Sequence, residues 1–417
     1  METTSVRPSS AGARRGFRLA ADVRGLNLQR ILAVAMDLPG PFTRGALIEA
    51  TGLSAPTVGH ITADLIRRGL LSDLGTGPSR GGRRPSFMQF NARHGFVAGI
   101  DLGANRVRFA VADLRGDVLR QRVVPTPRER DPDALLPRIV DDLHSLLEEL
   151  QVSPSRLLAV CAGAPGLVDP DQGTVAAAHN LEGWLRVPMA ATLERELGTP
   201  VVLENDVNLA VLGERWRGAA QGHDTCAFVT FGTGIGAGIV VNGRLHHGHH
   251  CLAGEIGLMC IGPQCLGVEP GAPRSLEAMA GSRALALRWS PPGTCDADAT
   301  VSELLDAARA GDGRARELLQ EVATLLGLAT AHLSLVVDPS LIVLGGALVL
   351  QSDSVADDIR RIVGRIVPRP SRIVVSKLGD EAPLWGSLLV AATEARERLQ
   401  RPLRQNRPGA HAAASRG

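Results

Sequence analysis

Between Cys226 and Leu245 the chain reads CAFVTFGTGIGAGIVVNGRL, a stretch whose chemistry lies in its backbone. An apolar strand over Ala227–Phe231 runs into Gly232-Thr233-Gly234-Ile235-Gly236-Ala237-Gly238, where missing Cβ atoms let amide N–H groups approach an anion. A second apolar strand ends at Asn242-Gly243, a hairpin pair because both residues accept positive φ. Residues 97–119, VAGIDLGANRVRFAVADLRGDVL, repeat the plan as strand, Gly103 turn, strand, Gly116 turn, strand. Two such units in one chain suggest a duplicated fold with a nucleotide or sugar phosphate held between two lobes. Two unrelated hairpins are the plainer alternative.

These units need a large scaffold, and the chain supplies one. With 417 residues, 44% of them hydrophobic, it exceeds a single domain and can bury substantial cores. A net charge of +2 marks no global nucleic-acid binder, so only local basic patches can serve that purpose. No uninterrupted apolar run of about 18 residues occurs, which predicts no membrane-spanning helix. Residues 1–22 are Arg- and Ser-rich, with Glu2 as the one acid before Asp22, and read as a disordered basic arm without the apolar core of a secretory signal. Six cysteines without regular pairing fit a reducing cytosol. Lys377 is the one lysine, so nearly every basic residue is arginine.

From Val23 to Leu38 apolar residues recur at helical spacing (Leu26, Ile31, Leu32, Val34, Ala35) until Pro39-Gly40-Pro41. Thr43 can then cap a short helix carrying Leu47 and Ile48, Gly52 makes a turn, and Ser54 caps a second helix with Pro56 in its first turn. On that helix Val58, Ile61 and Leu65 form one buried stripe, leaving Thr57, Gly59, His60 and Asp64 on other faces. Helix, glycine turn and helix make a helix-turn-helix. Strand, tip and strand follow, with Phe87-Met88-Gln89-Phe90 as the return, in the manner of a wing. Its tip, GTGPSRGGRRP, offers Arg80, Arg83 and Arg84 to a narrow minor groove, although a solvated linker would have the same composition. Residues 23–90 thus read as a winged helix-turn-helix DNA-binding domain, with Ser54, Thr57, His60 and the three arginines facing DNA.

Residues 91–396 carry ordered motifs: LLAVCAGAPGLV (157–168), HNLEGW (179–184), VVLENDVNLAVLGERW (201–216), the glycine hairpin, AGEIGLM (253–259), SLEAMAG (275–281) and LIVLGGAL (341–348). Together they resemble the ROK family (repressor, open reading frame, kinase), whose two-lobed sugar-kinase fold is related to actin and hexokinase. With the N-terminal module, the chain resembles the family's transcriptional regulators of xylose, N-acetylglucosamine and glucose metabolism. The resemblance implies sugar contacts from Asn180, Asn205, Asp206, Glu255 and Glu277, chemically apt because carboxylates and amides pair with vicinal hydroxyls. In the family's kinases the Asp206 position is the general base. Gly232, Thr233, Gly234 and Gly236 match the second phosphate loop, and Gly345-Gly346 the nucleotide-side turn.

Two departures qualify the resemblance. The first phosphate loop of the kinases reads Asp-x-Gly-Gly-Thr, whereas here it is Asp101-Leu102-Gly103-Ala104-Asn105, with an added Cβ and a lost hydroxyl. Many members also hold a structural zinc on one His and three Cys. Those positions here are Leu258, Val268, Pro270 and Ser275, none of them an N/S ligand, which predicts no metal and no cofactor. His246, His247, His249, His250, Cys251, Cys260 and Cys265 could build a different site, but their spacing fits no standard finger and reads better as a polar loop plus buried thiols.

Residues 301–336 give two helical patterns broken at Gly311-Asp312-Gly313, the second a core or dimer helix, and residues 397–417 read as a disordered tail. The expectation is a cytoplasmic α/β protein, nucleoid-associated when bound to DNA. It would act as a sugar-responsive repressor without enzymatic activity, a dimer or tetramer on a palindromic operator, with a free sugar between its lobes. The rivals are an ATP-dependent sugar kinase with a DNA-binding appendage and an effectorless repressor controlled by a protein partner.

Overall fold

The computed structural model describes residues 10–76, 86–127, 129–178, 181, 183–232, 234–261, 275–289 and 297–400. It divides into two units, one of residues up to Gly95 with Asp113–Arg115 and the residues from Thr393 on, the other of Phe96–Ala112 and Gly116–Ala392.

In the first unit, helix α1 (Ser10–Asp37) begins well before Val23, and Leu26 of its expected stripe is 64% exposed. Ile31, Leu32 and Ala35 are buried as anticipated, Val34 is half-buried, and Met36 joins the buried face. Strand β1 (Phe42–Thr43) leads into α2 (Arg44–Thr51), capped by the Thr43 hydroxyl accepting from the Ala46 amide and closed by Gly52 at φ 67°. Ser54 caps α3 (Ala55–Arg67) by accepting from the Thr57 amide at 3.4 Å, and Pro56 lies in the first turn, where no amide is needed. Val58, Ile61 and Leu65 are buried; burial of each such side chain is worth about 1.5–3 kcal/mol. Asp64 departs from the expectation, being buried and paired with Arg67 and Arg68 at 2.9 Å. Strands β2 (Leu71–Thr76) and β3 (Ser86–Phe90) pair antiparallel, with β1 on the far side of β3. The tip bearing Arg80, Arg83 and Arg84 lies outside the described residues.

The second unit starts with β4 (Phe96–Leu102), β5 (Arg106–Asp113), β6 (Val118–Pro125) and α4 (Pro132–Glu149). Next come β7 (Leu157–Ala164), a small sheet of β8 (Leu167–Asp169), β9 (Thr174–Ala177) and β10 (Leu185–Val187), then α5 (Met189–Leu197), β11 (Val201–Asn205) and α6 (Asp206–Arg217). The pattern restarts with β12 (Cys226–Phe231), β13 (Ile235–Val241) and β14 (Arg244–Leu245). Helices α7 (Leu276–Ala280), α8 (Ser282–Trp289), α9 (Ala297–Ala310) and α10 (Gly313–Val337) precede β15 (Leu341–Gly345). The described chain ends with α11 (Ala347–Leu350), α12 (Asp353–Ile366), β16 (Arg372–Val375) and α13 (Ala382–Gln400), so helix runs past the expected start of the tail at 397.

The two five-stranded sheets are ordered β11-β7-β4-β5-β6 and β14-β13-β12-β15-β16. Each has a first strand at its centre, flanked by its own two hairpin strands on one side and two parallel strands on the other. That is the duplication expected from the two glycine units. β4 and β12 are buried almost throughout, as befits central strands covered on both faces. Asn242 and Gly243 take φ 51° and 77°, the double positive turn their types demand.

Helix α10 is long and apolar enough to cross a membrane, a length not visible as an unbroken apolar run because Arg, Gln, Glu and His interrupt it. Its apolar face instead belongs to the second sheet's core, where Leu318, Val322, Leu326 and Ala329 are buried. Helices α6 and α13 meet backbone to backbone: a Cβ on Gly213 would overlap the Ala382 carbonyl, and one on Gly386 the Leu209 carbonyl. This seat fixes the helix whose first residue is Asp206.

Candidate functional site

A cavity of about 700 Å³ opens between the β4–β5 turn, the β11–α6 junction, the β12–β13 turn and the loop through Glu255. Asp101, Gly103, Asn205, Asp206, Gly232, Gly234, Gly236, Glu255, Glu277 and Gly346 all line it, so most of the anticipated residues converge on one place. Gly345 does not line it, and Asn180 and Thr233 lie outside the described residues. The neighbours of Asn180 are firmly held: Leu181 and Trp184 are buried, and the Trp184 indole donates to the Arg130 carbonyl.

Asn205 is more committed than its motif suggests. Its Oδ1 accepts from the Val207 and Asn208 amides at 2.9 and 3.1 Å, the N-cap of α6, while Nδ2 donates to the Gly166 carbonyl. Asp206, next along, accepts from the Val207 amide. Burial, then the nearby Asp101 charge, lifts its carboxyl from the ordinary range to about 7. Burial likewise raises Asp101 to about 6, against the pull of Arg108 at 3.1 Å. A carboxyl that titrates near neutrality, as that of Asp206 does, can accept hydrogen bonds from sugar hydroxyls or donate one to them.

Several glycines prove to serve packing. A Cβ on Gly238 would overlap the Val207 carbonyl, and one on Gly236 would press the Val207 side chain at 3.3 Å, so these glycines let α6 lie on β13. Gly345 makes room for the Phe228 ring, and Gly346, at φ 87°, for the Phe231 backbone. In the GEIG motif, Gly254 at φ 91° would strike the Ala237 carbonyl with any Cβ, while its own carbonyl accepts from the Ala237 amide at 2.7 Å. Glu255 is thus held on a loop pinned to β13.

Sequence reasoning gave no role to Arg108 or Glu204 and did not foresee the partner of His247. Arg108 reaches both Asp101 and Asp380, the latter at 3.8 Å; a cation between the apolar Val107 and Phe109 was the available signal. Glu204 is buried and accepts from the Asn205 amide and from Asn208 Nδ2, at 2.8 and 2.9 Å. His247, which lines the cavity, forms a 2.7 Å hydrogen bond with Glu204, and that bond raises the imidazole above its ordinary range. The His-rich polar loop is therefore tied to the site through His247. Its thiols depart from expectation: Cys251 is half-buried, Cys260 exposed and Cys265 outside the described residues. Among the described residues no three His, Cys, Asp or Glu side chains gather as a metal would need. At the family's zinc positions, Leu258 offers only carbon and is 64% exposed, and the Ser275 hydroxyl is spent capping α7. These residues do not fit a zinc ion; Val268 and Pro270 lie outside the described residues.

A doubled sheet with its glycine turns and paired carboxyls around one cavity defines a sugar-kinase-like body. The chain belongs to the ROK family, whose sequence model matches residues 97–394. It is similar to the xylose repressor of Caldicellulosiruptor bescii, 27% identical over 367 residues that span 84% of this chain and 92% of that one. It is similar as well to a glucokinase of Halalkalibacterium halodurans, 32% identical across 70% of this chain and 93% of that one. Among solved structures, a ROK family transcriptional regulator homologous to the Escherichia coli Mlc protein shares the fold, with TM-score 0.72 and 23% identity over 91% of this chain and 99% of that one.

Proposed function

We propose that this chain is a sugar-responsive, DNA-binding transcriptional repressor of carbohydrate genes, not an enzyme. The carrying observation is coverage: the glucokinase match spans 70% of the chain, whereas the xylose repressor match spans 84%. The α1–α3 helices and the three-stranded antiparallel sheet of the N-terminal unit support the winged helix-turn-helix reading. Thr57 and His60 on α3, with Ser54 at its cap, meet DNA, joined by the arginines between β2 and β3. A free aldose, xylose being the first choice from the repressor relative, binds between the lobes through Asn180, Asp206, Glu255 and the Oε1 of Glu277, whose Oε2 accepts from the Ile235 amide, with Asn205 positioning Asp206. Sugar then acts on DNA to the extent that each ligand prefers a different conformer. The protein works in the cytoplasm as a dimer or higher oligomer on a palindromic operator, holding no zinc.

Selection of DNA from a random-sequence pool by the purified protein, followed by titration with D-xylose and other aldoses, tests this. The expected outcome is a palindrome with half-site centres about 10–10.5 base pairs or a multiple apart, released by one unphosphorylated sugar. Selection of no sequence, together with aldose-dependent ADP release from ATP, would overturn it. That second outcome is the kinase reading, favoured by the glucokinase relative and by a carboxyl at Asp206, and it requires the release to vanish in Asp206→Asn.

A further inference from the structure

A magnesium nucleotide bound as in a sugar kinase makes two demands on this cavity. It needs a carboxylate free for the ion's hydrated shell, and turn amides free for phosphate oxygens. At the first turn one carboxylate oxygen and one amide are already engaged. Asp101 Oδ2 receives the Arg108 guanidinium at 3.1 Å, and the Gly103 amide donates to the Arg106 carbonyl at 2.9 Å. Arg108 is itself only 15% exposed, and its second nitrogen faces Asp380. A guanidinium is permanently charged and planar, so it neutralises a buried carboxylate without the exchange that a hydrated ion undergoes.

The second turn is filled from the opposite sign. Glu277 Oε2 accepts from the Ile235 amide at 2.8 Å, so a protein carboxylate already sits on a backbone donor of the glycine loop. The Gly232 amide donates to the Gly234 carbonyl within the same turn. The nucleotide end of the cavity therefore carries an internal cation at its carboxylate and an internal anion at its amide. The group that the family's kinases bind does not fit this arrangement.

We propose that Arg108 is a built-in substitute for the metal at Asp101, which with Glu277 seals the nucleotide end and leaves a cavity for an uncharged sugar alone. The inference deepens the repressor reading, yet it is measured separately: a failure of sugar to release DNA leaves the nucleotide result standing.

The experiment is a fluorescence-anisotropy titration of an N-methylanthraniloyl ADP probe with magnesium into the full chain, as wild type, Arg108→Lys and Arg108→Met. Wild type and the lysine variant are expected to give no saturable rise up to about 1 mM, the upper end of ordinary substrate affinities. The methionine variant, which keeps bulk without charge, is expected to gain a saturable rise that disappears with chelator. Saturable magnesium-dependent binding to wild type overturns the proposal. So does an Arg108→Met protein that unfolds cooperatively near the wild-type temperature yet gains no binding.

Discussion

The two sheets of the larger unit share one strand plan, yet their first turns have been put to different use. The β4–β5 turn is built around charge, with Asp101 buried against Arg108. The β12–β13 turn is built around absent side chains, its strand carrying Gly236 and Gly238 so that α6 can lie flat upon it. Topology therefore fixes where a turn sits but not what it does. One duplicated unit handles an ion pair, while the other provides the seat for the helix that presents Asp206.

Substitution at the two turns should break this symmetry. Gly238→Ala forces a methyl into the Val207 carbonyl and is expected to cost about 3 kcal/mol, read from urea denaturation of the full chain. Gly103→Ala meets the Arg106 carbonyl at 2.9 Å, where a turn can shift, and is expected to cost only about 1 kcal/mol. Equal losses would show that the turns are built alike.

Next in size is Asp206→Asn, expected to weaken sugar binding about tenfold or more while leaving DNA affinity unchanged. The pH dependence gives a second test. Asp206 has a folded pKa of about 7, above its unfolded value of 3.8, so its protonated form favours folding at low pH and that contribution is lost as pH rises towards and through 7. The wild-type Tm should therefore fall between pH 6 and 8 by more than that of the asparagine variant. Sugar affinity should rise over the same interval if the ionised carboxylate is the acceptor for hydroxyls.

His247→Gln probes the neighbouring Glu204 pair. Its raised imidazole contributes stability that is full below its unfolded pKa of 6.5 and is lost as pH rises through the higher folded value. The Tm difference between variant and wild type should be largest near pH 6 and close as pH increases; a difference that does not vary with pH would show the pair to be neutral. The smallest effect belongs to Gly59 on α3, where an added Cβ meets nothing within 4 Å. Gly59→Ala is expected to raise stability by about 0.5–1 kcal/mol and to weaken binding of the selected operator, if the bare backbone serves close approach to DNA.

Much of this architecture was legible in the sequence because it rests on local rules. Thr43, Gly52, Ser54 and Pro56 occupy capping and turn positions whose geometry a short stretch determines, and Asn242-Gly243 can form little else. The convergence of Asp101, Asp206, Glu255 and Glu277 was legible only through family resemblance, since nothing local brings β4, α6 and α7 together. The packing role of Gly236 and Gly238 against α6 was not legible because a missing Cβ looks the same whether a phosphate or a helix fills the space. The pairings of Arg108 and His247 were not legible because their partners, Asp101 and Glu204, lie 7 and 43 residues away. The length of α10 was hidden by polar residues on its solvent side.

Lys377 has a consequence of a different kind. It is exposed and flanked by Ser376 and Leu378, both hydrogen-bonded to buried Glu214, and it lies two residues before Gly379 and three before Asp380 on the cavity wall. As the one lysine in the chain, it gives amine-reactive dyes a single side-chain address on an anchored loop. The native sequence thus carries a ready attachment point for an optical reporter of events in the cavity, with no cysteine to remove and no residue to introduce.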